Sequence, residues 1–176
     1  MLNKSKRKYI NYFLVAVVTI VAAVYFFSNK NGTFKLRNIS FAVEDIQDVD
    51  KIVMQTENEN LILENENNTW KVNHKYQVRE RSLQNFLLTL NRLELMSPVS
   101  KTEKSQIASI LKSDGIIVEL FRNGRSIRKY YVSKPSMNKS KTYMMMYKSN
   151  NPFVIHIPSF KGLVSKLFVL DENYWR

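Results

Sequence analysis

The sequence has no cysteine. That rules out a disulfide framework, a thiolate nucleophile, a cysteine zinc site and a lipidated cysteine. Glycine is scarce: Gly32, Gly115, Gly124 and Gly162 are the four, and they are scattered. No phosphate-cradling loop of the P-loop or dinucleotide kind can be written from them. No Gly-x-Ser-x-Gly elbow fits either, because no two glycines stand four apart. The two histidines, His74 and His156, lie far apart and outside any HExxH pattern, so no metal site is expected from them. Acidic residues are missing from two stretches, the first 30 positions and the segment from Arg122 to Lys148.

The first of these stretches holds an uncharged run, Ile10 to Phe27, in which only Asn11 and Thr19 are clearly polar. A helix of that length rises about 27 Å, close to the hydrocarbon thickness of a thin bilayer. Lys4, Lys6, Arg7 and Lys8 precede it and Lys30 follows. This bias predicts a cytoplasmic N-terminus and export of the remainder. A cleaved signal peptide would need a shorter core and small residues before the cut, but the run ends Val-Tyr-Phe-Phe. The expected organisation is therefore a basic tail and transmembrane anchor over 1–28, a polar linker over 29–40 and one extracytoplasmic domain over 41–176. A bacterial inner membrane is the expected location.

Charge is unevenly divided beyond the anchor. Residues 31–100 carry 8 basic and 10 acidic side chains, and residues 101–176 carry 14 and 5. The second acid-free stretch contains Arg122, Arg125, Arg128, Lys129, Lys134, Lys139, Lys141 and Lys148. These eight are the candidate contact residues for a protein partner or a membrane surface. The expected topology removes nucleic acid from reach. A solvated cationic face that only keeps the domain soluble is the competing reading.

Periodicity predicts an α+β domain, a mainly antiparallel sheet with two or three packed helices. Lys51–Thr56, Leu61–Glu64 and Thr69–Asn73 read as strands of a meander with Asn- and Glu-rich turns. Glu80 to Leu95 reads as a helix with Leu83, Phe86, Leu87, Leu90 and Leu93 on one stripe, and Pro98 interrupts after it. Ser100-Lys-Thr-Glu103 fits a capping box for a helix burying Ile107, Ile110 and Leu111, ending at Gly115 as a left-handed cap. Asn123-Gly124 predicts a type I′ hairpin between Ile116–Arg122 and Arg125–Val132. The hairpin and the strand after it should present Arg125, Arg128, Lys134, Lys139 and Lys141 to solvent. Tyr131 and the methionines of Tyr143-Met-Met-Met-Tyr147 should pack inside. A last helix is expected after Pro158-Ser159, burying Phe160, Leu163, Val164, Leu167 and Phe168.

Several short motifs occur in order: Phe41-Ala-Val-Glu-Asp45, Lys51-Ile52, Trp70-Lys-Val-Asn73 with Tyr76, Pro98-Val99, Tyr130-Tyr-Val132, Thr142-Tyr-Met144, Pro152-Phe-Val-Ile155, Ile157-Pro158 with Phe160, and Trp175-Arg176. In this order they resemble a domain-of-unknown-function family of bacterial envelope proteins with a single N-terminal anchor. Some of its members are similar to auxiliary components of gliding-motility-type ABC transport systems. The resemblance implies no catalytic residues. The chain departs from the pattern in having Ser133 and Ser159 where glycine is expected, and the pattern continues past the Trp-Arg pair.

Candidate chemistry is thin. Asp45, Asp48 and Asp50 lack the glycine and distal glutamate of a calcium loop and read as a solvated turn. Ser109 and Ser136 match Ser-x-x-Lys by spacing only, without the companion motifs. Glu64, Glu66 and Glu119 could in principle form a carboxylate pair. No catalytic constellation, cofactor or metal is expected. The functional expectation is a membrane-anchored binding or scaffold module, an accessory subunit of a cell-envelope complex. An enzyme acting on an envelope polymer or lipid is the alternative, and a carrier with an enclosed apolar pocket is a third.

Overall fold

The structure, a computed structural model, describes residues 17, 19 and 40–176. The expected anchor Ile10–Phe27, apart from Val17 and Thr19, and the linker up to residue 39 lie outside the described residues. Among the described residues no helix is long and apolar enough to cross a membrane.

The domain is built from β1 (Lys51–Gln55), β2 (Asn60–Glu66), β3 (Thr69–Val72), β4 (Tyr76–Gln77), α1 (Glu80–Asn91), β5 (Glu94–Pro98), α2 (Lys104–Asp114), β6 (Ile116–Arg122), β7 (Arg125–Val132), β8 (Thr142–Met146), β9 (Phe153–His156) and α3 (Glu172–Trp175). All nine strands form one sheet in the order β4-β3-β2-β1-β6-β7-β8-β9-β5, and every pairing is antiparallel. Helix α1 carries the chain from one edge strand to the other. A flat sheet of nine strands would be about 38 Å wide, while a 12-residue helix spans about 18 Å. The sheet therefore has to curl for the connection to close.

Alternation sorts the strands into two faces. Ile52, Met54, Leu61, Leu63, Val72, Val118, Leu120, Tyr130, Val132 and Met144 are fully buried on one face. Phe41 meets Tyr130 and Phe153 there, edge to face, with ring centroids 5.8 and 6.1 Å apart. Helix α2 covers part of the other face, where Ala108 and Leu111 pack with Tyr143, Met145 and Val154. Met144 and Met145 are buried because they lie where the sheet is covered on both faces, and Met146 is half-buried.

The C-terminal segment closes one end. Trp175 is wholly buried, donates from Nε1 to the Val169 carbonyl at 2.9 Å and stands edge-on to Phe86 at 5.3 Å. Its carbonyl accepts from the Arg79 amide, which ties it to the start of α1.

Four expectations need correction. The helix expected over Glu80–Leu95 ends at Asn91, because Glu94–Pro98 pair with β9 as an edge strand. Sheet pairing there overrides helical periodicity, and Pro98 is tolerated at an edge. Leu88 is left exposed. Gly115 has φ −72° and is no left-handed cap. Glycine is needed there because a Cβ would fall 2.3 Å from the Leu111 carbonyl oxygen. The expected last helix shrinks to a 3-10 turn over Val164–Leu167 and the short α3. Ser159, with φ 65°, turns the chain out of helical geometry, and Phe160 is exposed. The capping box forms one turn ahead of α2: the Ser100 hydroxyl accepts from the Glu103 amide at 3.4 Å and donates to its carboxylate at 2.8 Å. The carboxylate thus meets the hydroxyl, not the Ser100 amide. Ser133, where glycine was expected, is fully buried, and its hydroxyl accepts from the Tyr143 amide at 3.0 Å.

Candidate functional site: the cationic hairpin end

The β6–β7 hairpin turns through Asn123 and Gly124, with φ of 51° and 70°, as a type I′ turn requires. In an unbroken two-residue hairpin Ile127 would stand opposite Leu120. The register shifts between Leu120 and Phe121, so Ile127 is bulged out and Arg128 stands opposite Leu120. Bulges re-aim side chains in this way. Arg128 therefore leaves the strand on the core side, in line with Tyr130 and Val132, and not on the solvent face expected from the sequence. Arg122 shares that side with Val118 and Leu120.

The two guanidiniums line a cleft of about 300 Å³ with Val43, Glu44, Asp45 and Ile127. Arg122 donates to the Asp45 carbonyl at 3.1 Å and lies 3.7 and 3.6 Å from the carboxylates of Asp45 and Asp48. Among the described residues Arg128 has no carboxylate partner, and it makes a 3.4 Å contact from Nη1 to the Ile127 carbonyl. The Nε atoms of both arginines are buried without a hydrogen-bond partner, as is the Tyr130 hydroxyl. Burial pushes the pKa of that hydroxyl far above the ordinary phenol value, against the opposing charge of Arg128. The three aspartates read as a solvated turn thus have specific partners. Asp45 and Asp48 meet Arg122, and Asp50 accepts from the Asn123 amide at 2.5 Å.

The remaining basic residues do not form one surface. Lys129 is tied to Glu119 at 2.7 Å and lies 4.6 Å from the centre of the Tyr147 ring. Lys134 is tied to Asp114 at 2.5 Å. Arg125, Lys139, Lys141 and Lys148 are exposed and make no ion pair among the described residues. The Tyr147 amide bonds to the Lys129 carbonyl, which brings Lys148 to the hairpin end beside Arg122, Arg125 and Arg128. Lys134, Lys139 and Lys141 lie past the other end of β7, about 23 Å away for a strand of that length. The expected single face is two separate cationic ends.

One cluster was missed in the sequence. Glu64 and Glu66 share the outer face of β2, and His74, in the β3–β4 turn with φ 59°, folds back onto them. His74 Nδ1 lies 2.8 Å from Glu66 Oε1 and 3.3 Å from Glu64 Oε2, and the three donor atoms lie within 4.8 Å of one another. The far oxygens are engaged by lysines, Lys71 on Glu66 at 2.7 Å and Lys51 on Glu64 at 3.4 Å. Hydrogen bonds from Lys71 and His74 hold the Glu66 carboxyl below its ordinary pKa. Such a set could present three donors to a borderline divalent ion, and it is equally complete as two ion pairs, Lys51 with Glu64 and Lys71 with Glu66, joined through His74. The readable signal was the i, i+2 pair of glutamates in a strand facing a histidine in the next turn.

The other candidates are not brought together. Glu119 lies two strands from Glu64, beyond β1. Ser109 and Ser136 are exposed, and Lys112 bonds instead to Asn150 at 2.6 Å. His156 stands 3.8 Å from Glu94 on the paired edge strand.

No protein-family model, curated protein or solved structure matches this chain.

Proposed function

We propose that the chain is a membrane-anchored, extracytoplasmic binding or scaffold module, an accessory subunit of a cell-envelope complex. It docks an acidic protein partner through the hairpin end of its sheet. The observation that carries the reading is the gathering of Arg122, Arg125, Arg128 and Lys148 at one end, with only Arg122 matched by carboxylates among the described residues. Cations left unpaired at one place steer encounter and fix orientation, and their effect is screened by salt. The resemblance of the ordered motifs to single-anchor envelope proteins supports the anchored, accessory role.

The test compares two double variants, Arg125→Gln with Lys148→Gln at the hairpin end and Lys139→Gln with Lys141→Gln at the loop end. Each is expressed in native membranes, crosslinked and purified. The hairpin variant should lose its partner set and the loop variant keep it, with wild-type capture falling as salt rises. Unchanged partners in both variants would refute docking through this end.

A further inference from the structure

Docking by surface charge does not require arginines on the core side of a sheet. The bulge at Ile127 replaces an isoleucine opposite Leu120 with Arg128, a half-buried cation beside the fully buried Tyr130. Placing a cation there without a counter-charge is unfavourable. Asp45 and Asp48 supply that charge to Arg122, and none of the described carboxylates reaches Arg128. Glu44 rims the cleft, but it is exposed and makes no ion pair among the described residues.

We infer that the cleft between Arg122 and Arg128 binds a single phosphate group, carried either by a soluble phosphate compound or by a phospholipid headgroup. The inference deepens the docking proposal and rests on its choice of the hairpin end. Two guanidiniums carried by adjacent strands line the cleft. The planar oxygens of a carboxylate are satisfied by one guanidinium fork, whereas a tetrahedral phosphate offers oxygens to two. The lining of the cleft is mostly polar, with Val43 and Ile127 set beside the charged groups. A volume of about 300 Å³ has room for a phosphate and a substituent. The bound oxyanion would supply the counter-charge that Arg128 lacks.

The experiment uses the full chain in uncharged detergent micelles and reads the arginine Nε–H resonances by NMR. Inorganic phosphate is titrated against chloride at matched ionic strength. A second arm places the chain in bilayers of phosphatidylcholine with and without phosphatidic acid. Saturable shifts of the Arg122 and Arg128 resonances with inorganic phosphate support the inference with a soluble source. Shifts with phosphatidic acid alone support it with a lipid source. Equal shifts with chloride, or none in either arm, overturn it. Arg128→Gln should weaken binding by about tenfold or more, the loss of a charge-assisted pair. If that variant fails to fold, Arg128→Lys keeps the charge without the fork and should still weaken binding. The hairpin variant Arg125→Gln with Lys148→Gln should retain the phosphate shifts. Loss of partner capture with intact phosphate binding, or the reverse, therefore separates the two proposals.

Discussion

Two glycines do different work in adjacent elements. Gly115 is extended, and the Leu111 carbonyl excludes any side chain at that position. Gly124 has open space around it, with nothing within 4 Å of where a Cβ would stand, but its φ is 70°. Crowding governs the first and backbone conformation alone the second. Gly124→Val should destabilise the domain by about 1 kcal/mol or more, because a β-branched residue is strained at positive φ. Urea unfolding checks it, and an unchanged midpoint with an unchanged slope would show that the turn tolerates valine. Asn123 and Ser159 occupy the same region of conformational space without being glycine, at φ 51° and 65°. Asparagine enters that region readily and serine does so at greater cost. Ser159 is therefore a strained residue in this chain.

At the scale of the element, the outer face of β6 and β7 carries a compact pH-sensitive pair. Glu119 sits opposite Lys129 in register and accepts from its ammonium at 2.7 Å, and that ammonium lies over the Tyr147 ring, which stacks on Tyr131 with centroids 5.5 Å apart. Burial works to raise the Glu119 pKa, but hydrogen bonds from Lys129 and Ser126 outweigh it and hold the carboxyl below the ordinary 4.5. A depressed acid contributes stability that is present above its unfolded value and lost as pH falls through the folded one. Lys129→Met should therefore reduce stability near neutral pH and flatten its decline between pH 5 and pH 3, in roughly the window where that carboxylate protonates. Thermal unfolding across that range, with NMR titration of the Glu119 carboxyl, reads both effects. An unshifted Glu119 titration in the variant would refute the pairing. This hairpin was legible in the sequence because Asn-Gly and period-two alternation agreed with each other. The bulge that turned Arg128 inward was not, since one inserted residue leaves no mark on composition. Helix α1 was legible through Leu83, Phe86 and Leu90, yet its end was overrun because pairing of Glu94–Pro98 with β9 is a long-range choice. The last expected helix failed at Ser159, whose φ is 65°, and near Gly162, a poor helix former.

The whole molecule divides into an uncharged run with a basic flank and a domain whose fold is complete without it. Residues 40–176 form their own compact unit, with one curled sheet, buried faces and a C-terminal tryptophan locking the start of α1. Such a domain could work on either side of a membrane, so its location depends on the flanks. Lys4, Lys6, Arg7 and Lys8 stand before the run and Lys30 alone stands close after it. If the run spans a membrane as proposed, that asymmetry favours retention of the N-terminal side in the cytoplasm. The cationic hairpin end would then meet its partner outside the cytoplasm, where neither nucleic acid nor cytosolic proteins compete for it. A reporter active only outside the cytoplasm, fused after Arg176, should be active, and the protein should resist carbonate extraction. Replacing the four basic residues of the tail with glutamine should lower reporter activity without releasing the chain from the membrane, since the apolar run remains. An inactive reporter on a full-length, anchored wild-type product would overturn the orientation and place the arginine cleft in the cytoplasm.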